Sequence, residues 1–307
     1  FIERNGARYY RIAHVDQMPP FFISLVSHAE HWMFIASNGG LTAGREKEDH
    51  AVFPYYTDDK IIQSAAYTGP LSVFRVEKAG KTYLWTPFSD RYKGVYPIER
   101  HLCKSVWGNE LIFEEYNPVL GLRFTYSWRF SASYGFVRSC ELRNESSEKL
   151  SVELLDGLQN ILPYGIDANL QNIRSNLANA YKRSELHSAS KLAVYALSAI
   201  IVDRAVPAEA LKASIAWSSG LSDAQVLLSS DQLETFTSGG SVVGEADKKG
   251  VACAFLLHTT RHLDAGDQAN WQICVDGHKT QPQIVDLIDA LMHKPEDLMA
   301  SLAQELA

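Results

Sequence analysis

The chain has 307 residues, 46% of them apolar and 21% charged, the composition of a folded domain with a substantial core. Its formal net charge of −7 comes from interspersed acids and bases, which leaves no basic stripe for nucleic acid. No apolar run approaches the roughly 20 residues that cross a bilayer; the most apolar stretch, 192–202, ends at Asp203-Arg204.

Phe1-Ile2-Glu3-Arg4 alternates charge with apolar residues and does not read as a signal peptide, and the chain begins without Met, so a preceding segment is expected. His28 and His31 stand three apart, close to Glu30, but no third metal ligand lies nearby. The apolar run Trp32-Met33-Phe34-Ile35-Ala36 then leads into Ser37-Asn38-Gly39-Gly40-Leu41-Thr42-Ala43-Gly44-Arg45. Two readings of this glycine-rich segment stand. It is a hairpin that needs glycine for geometry, or a loop that aims Asn38, Arg45 and Asp49 at a ligand beside Phe53, Tyr55 and Tyr56. Arg45 in turn either meets paired oxygens of a sugar or phosphate, or pairs with Glu46, Glu48 or Asp49.

Phe74-Arg75-Val76-Glu77, Ala79-Gly80-Lys81 and Tyr83-Leu84-Trp85 read as a hairpin. Residues 111–116 form a strand that stops at Asn117-Pro118, and Glu114 and Glu115, as neighbours on it, point to opposite faces. Leu122, Phe124, Tyr126, Trp128 and Phe130 alternate at period two and line one face of a strand. Residues 136–143 and 150–158 continue the meander across the polar turn Asn144-Glu145-Ser146-Ser147-Glu148.

Residues 167–183 break the rhythm. Leu170, Ile173, Leu177 and Tyr181 make a helical stripe that Asp167 can cap, opposite an amide-rich face of Asn169, Asn172, Asn176 and Asn179. Strand signals resume at 192–197, 211–217, 225–229, 251–259 and 269–275. Two helices are expected after Gln281. One carries Ile284, Leu287, Ile288 and Leu291; the other opens at Pro295-Glu296-Asp297 and carries Leu298, Leu302 and Leu306. Their apolar stripes are expected to need cover from outside the chain, in a dimer or a following domain.

The chemistry-bearing motifs are absent: no G-x-S-x-G elbow, P-loop, G-x-G-x-x-G before a helix, or H-E-x-x-H. The widely spaced Cys103, Cys140, Cys253 and Cys274 form no C-x-x-C pair, and Cys140 and Cys253 read as buried thiols, which favours a reducing, cytoplasmic compartment. We therefore expect no cofactor, no metal and no catalytic residue. The carboxylate pairs Asp58-Asp59, Glu114-Glu115 and Glu296-Asp297 are sequence neighbours, not the facing pair that glycoside cleavage needs.

Two stretches resemble the N-terminal domain of glycoside hydrolase family 94, the family of cellobiose and chitobiose phosphorylases and cyclic β-glucan synthase modules. They are 32–44 with Phe53-Pro54-Tyr55, and Phe136-Val137-Arg138-Ser139-Cys140-Glu141-Leu142-Arg143-Asn144 with Leu150-Ser151-Val152-Glu153-Leu154. The helical tail is similar to that family's linker, whereas Leu158-Gln159-Asn160-Ile161-Leu162-Pro163 departs from its pattern.

The resemblance implies a mainly β fold: a large antiparallel β-supersandwich of galactose mutarotase-like type over 1–280, and a helical linker over 281–307 leading to a catalytic (α/α)6 barrel. It implies carbohydrate as ligand, that barrel and a second copy of the chain as partners, and Arg45, Asp49, Asn38 and Tyr55 as substrate contacts. The function it points to is a non-catalytic carbohydrate-associated and assembly domain. A free-standing sugar epimerase using His101 with Glu99, or His258 with a remote Glu, is the alternative, and a purely structural interaction domain is the third.

Overall fold

A computed structural model describes residues 1–4, 6–57, 59–90, 94–201 and 209–307. Asp58 and the end of the 192–202 run lie outside these, so the expectations placed on them are not addressed.

The described residues form three antiparallel sheets. The largest has eleven strands in the order Ile2–Arg4, Ala7–Ala13, Glu99–Ser105, Leu111–Asn117, Leu122–Ser131, Gly135–Asn144, Gln268–Thr280, Lys212–Ser219, Leu192–Leu197, Lys182–His187 and Asp247–Lys249. A five-stranded sheet runs Gln225–Leu227, Cys253–Leu263, Leu150–Ile161, Gly69–Lys78 and Lys81–Trp85. Phe22–Leu25, His31–Ala36, Leu41–Arg45 and Ala51–Phe53 make a four-stranded meander. The chain is thus a mainly β supersandwich with helices at its C-terminal end, as the family resemblance implies.

One continuous core joins the three sheets. The strand Leu122–Ser131 turns Leu122, Phe124, Tyr126, Trp128 and Phe130 inward, against Phe74, Val76 and Leu154 of the five-stranded sheet and Met33, Ile35 and Phe53 of the small one. Registers follow the same period: Phe124 lies opposite Glu115 on one side and Leu142 on the other. The two neighbouring glutamates do face opposite ways. Glu115 is buried within, while Glu114 meets Arg4 and Arg123 on the outer face.

The stretch after Asp167 departs from the expected single helix. It forms two short helices, Ala168–Ile173 and Ser175–Tyr181, and Lys182 already pairs with Leu197 in the large sheet. Asp167 caps as expected, accepting from Leu170 N at 2.6 Å. The break at Arg174, whose φ of −130° is not helical, takes the stripe out of phase, so Ile173 is 74% exposed. Asn169, Asn172 and Asn176 are exposed, in keeping with a solvated face.

The terminal helices, Gln281–His293 and Pro295–Leu306, correct the expectation that their apolar stripes need cover from outside the chain. Leu298 and Leu302 are buried against Val137, Ile215, Trp217 and Cys274 on the outer face of the large sheet, with Ile284, Leu287, Ile288 and Leu291 packed beside them. A capping box between Thr280 and Gln283 starts the first helix, and Pro295 opens the second.

Candidate functional site

Segments far apart in sequence converge on a cleft of about 470 Å³. They are the turn after Ala36, the helical segment 59–66, the start of the strand Gly69–Lys78, the loop 86–90 and the helix Leu233–Thr237. The size is that of a small-molecule pocket. Pro70, Leu71, Pro87 and Phe88 give apolar walls, and Asn38, Ser72 and Asp90 bring polar groups to the lining.

The turn is built by its glycines. Gly39 has φ +90°, and Gly39 N donates to Ala36 O at 2.8 Å while Ala36 N donates to Gly40 O at 2.7 Å. Asn38 fixes the turn from both sides: its Nδ2 donates to Ile62 O at 3.0 Å and its Oδ1 accepts from Gly40 N at 3.2 Å. Those bonds explain why Asn follows Ser37 here, and they place Asn38 on the wall.

The opposite loop is held from beneath by Glu115, which is 1% exposed. Its carboxylate accepts from Trp85 Nε1 at 2.8 Å, Phe88 N at 2.6 Å and Arg100 Nε at 2.6 Å. Arg100 then reaches Asp90 Oδ1 at 2.7 Å and Ser89 O at 2.8 Å. Burial pushes the Glu115 carboxyl above the ordinary range, against the pull of Arg100. These bonds hold Phe88 at φ 65°, a backbone region that few side chains adopt, with its ring facing Tyr126 at 5.0 Å.

Behind the cleft sits an ion pair sealed from water. Arg138 donates to Asp156 Oδ2 at 2.8 Å and Oδ1 at 3.0 Å, and both side chains are 0% exposed. Trp271 Nε1 donates to Asp156 at 2.7 Å, and Ser72, which lines the cleft, donates to it at 2.5 Å. Burial opposes the Arg138 charge, but Asp156 overrides it and raises the guanidinium pKa.

Of the four residues expected to touch substrate, only Asn38 lines this cleft. Arg45 instead forms a two-pronged pair with Asp276, at 2.8 and 2.9 Å, and donates to Ala132 O at 3.0 Å. Its partner is 231 positions away, not among Glu46, Glu48 and Asp49. Asp49 accepts from Ala168 N at 3.4 Å. The Tyr55 ring packs edge-on against Trp32 at 5.8 Å, and its carbonyl accepts from Asn172. Gly44 lies beneath that indole: a Cβ there would stand 2.5 Å from Trp32.

The histidine candidates are engaged elsewhere. His31 is buried between Phe130 and Phe136, and no cluster of three metal-binding side chains occurs among the described residues. His101 accepts from His14 N at 3.1 Å and stands 3.9 Å from Glu99. The remote glutamate for His258 is Glu153, at 2.8 Å, also bound by Arg75 at 2.5 Å. Arg75 lies 4.3 Å from the Phe236 ring centroid and donates to Gly240 O, so this group anchors the helix Leu233–Thr237 that walls the cleft. Burial works to raise the Glu153 carboxyl pKa, but its bonds to His258 and Arg75 prevail and hold it low.

Asp156, Arg138, Ser72 and Tyr126 escaped the motif search. A signal existed for two of them: Asp156 shares the inward phase of Leu154 and Leu158, and Arg138 that of Phe136 and Cys140. A charge in such a phase needs a partner.

No protein-family model matches the chain, and no curated protein sequence does. Among solved structures it is similar to a polysaccharide lyase, at 12% identity and a TM-score of 0.46, over 88% of this chain and 34% of that one. It is also similar to a proposed aldose 1-epimerase from Escherichia coli K12, at 11% identity and a TM-score of 0.43, over 85% of this chain and 99% of that one. A galactose mutarotase-like protein from Lactobacillus casei ATCC 334 aligns at 10% identity and a TM-score of 0.41, over 84% of this chain and all of that one (100%). The chain thus spans about a third of the lyase's length, and likeness at this level identifies no activity.

Proposed function

We propose that this chain is a carbohydrate-associated β-supersandwich domain of galactose mutarotase-like type, which holds a sugar ring in the cleft without acting on it. The observation that carries the reading is the cleft itself, with its apolar walls and its hydroxyl and amide groups at fixed positions. Sugars present the same alternation of C–H faces and hydroxyl edges. Cleavage of a glycosidic bond uses two facing carboxyl groups. Among the described lining residues Asp90 is the single carboxylate, and Arg100 holds it.

We place the domain within a larger glycoside phosphorylase- or hydrolase-type enzyme whose chemistry belongs to an (α/α)6 barrel. The family 94 resemblance of residues 32–44 and 136–154 supports that placement.

The test is titration of D-glucose, D-galactose, N-acetylglucosamine and cellobiose into the chain by calorimetry and by amide chemical shifts. At least one should bind saturably, and Ala66→Trp, which puts an indole at the cleft, should abolish it. If no sugar binds, or if binding survives Ala66→Trp, the reading fails. The hydrogen-bonded pair of His258 and Glu153 favours a second reading, a sugar epimerase. Mutarotation that disappears in His258→Ala would put that reading first.

A further inference from the structure

Resting on the sugar-cleft reading, we propose that the Tyr126 hydroxyl is the group that reads one ring hydroxyl of the bound sugar, making Tyr126 a specificity-determining residue. Tyr126 lines the cleft and is 1% exposed, and its Oη has no hydrogen-bond partner among the described residues. Ser72, Arg138 and Trp271 nearby each bond to Asp156 instead. A hydroxyl withdrawn from water and left without a partner is a net cost to the fold, so stability alone would favour phenylalanine here.

The ring cannot turn to find another partner. Phe113 stacks on it at 4.6 Å, Phe88 meets its edge at 5.0 Å, and the Arg138 guanidinium stands 4.6 Å from its centroid. Burial raises the phenol pKa, so the group stays protonated and can donate.

Gly39 is the turn residue nearest the hydroxyl. Its φ is +90°, and a Cβ built on it would stand 3.3 Å from Tyr126 Oη. With no side chain there, no carbon of the turn crowds the hydroxyl. A sugar hydroxyl beside the turn would accept from Tyr126 and give the phenol the partner it lacks. Because the phenol is already fixed, little ordering entropy opposes the contact.

The experiment titrates whichever of the four probe sugars binds wild type most tightly into wild type and Tyr126→Phe, with the melting temperature of each protein measured beside it. Tyr126→Phe should lose about tenfold in affinity, the worth of one hydrogen bond. Its melting temperature should stay equal or rise. Among the monodeoxy derivatives of that sugar, one should bind both proteins with the same weakened affinity. Equal affinity of the two proteins for the parent sugar overturns the inference. So does a fall in melting temperature large enough to account for the weaker binding. Binding that Ala66→Trp abolishes but Tyr126→Phe leaves intact sinks only this inference, whereas absence of binding by every probe sinks the cleft reading and the inference with it.

Discussion

At the scale of single residues, the ends of two sheets meet in a charged knot. Asp276 is 1% exposed and accepts from Arg45, Lys279 and the amide of Gly277. His31 packs beside it, its Nδ1 3.1 Å from Ser27 Oγ. Burial first, and the nearby Arg45 second, hold the His31 pKa at about 4. An unfolded chain has a histidine near ~6.5, so between those two values it binds the proton that the folded chain refuses. His31 therefore contributes stability that is complete above about pH 6.5 and is lost as pH falls towards 4. The loss reaches up to about 3 kcal/mol. His278, also lowered to about 4 by burial and then by His50, adds in the same direction. Urea midpoints at pH 7 and pH 5 should differ by more in wild type than in His31→Gln. Identical differences would show that His31 does not titrate this way. Arg45 belongs to this knot through its two bonds to Asp276. Its sequence neighbours are acids, but the partner it takes is the one already desolvated, and sequence distance gives no sign of that.

At the scale of elements, period-two strands were the most legible part of the chain. From Leu122 to Phe130 every second side chain is large and apolar, and the strand buries that face. The short helices after Asp167 were read less well, because a helical stripe cannot reveal where tertiary pairing begins. Lys182 joins a sheet whose partner strand lies beyond the next turn. The terminal helices were legible as helices, but their partner was not. Their stripes needed an apolar surface, and Val137, Ile215, Trp217 and Cys274 supply it from strands that also face the core on their other side. Those strands are apolar on both faces, so alternation cannot mark the second one. Leu302 is 1% exposed at the centre of this contact. Leu302→Ala should cost about 2–4 kcal/mol in a urea titration, the range for truncating a well-packed leucine. A cost below about 0.5 kcal/mol, as at surface positions, would mean that the helices lie on the sheet without gripping it.

At the scale of the whole molecule, the sandwich is closed by a polar tie within an apolar core. Arg138 and Trp271 come from the eleven-stranded sheet, while Asp156 and Ser72 come from the five-stranded one. Hydrophobic packing alone would hold these layers together but would leave them free to slide. A bidentate ion pair with a third donor fixes one register, and Ser72 carries that register to the cleft wall. Asp156→Ala would leave the Arg138 charge buried and unpaired, along with an orphaned indole N–H. We expect it to cost about 3–5 kcal/mol, or to prevent folding outright. The companion variant Arg138→Met with Asp156→Leu removes both charges while keeping apolar volume, and should recover most of that loss. Recovery of stability need not restore the site. Without the tie, Ser72 and Tyr126 lose the neighbour that positions them, so the double variant should fold and yet bind sugar less tightly than wild type. A double variant that is stable and binds as wild type does would show that packing alone sets the register, and that the ion pair plays no part in shaping the cleft.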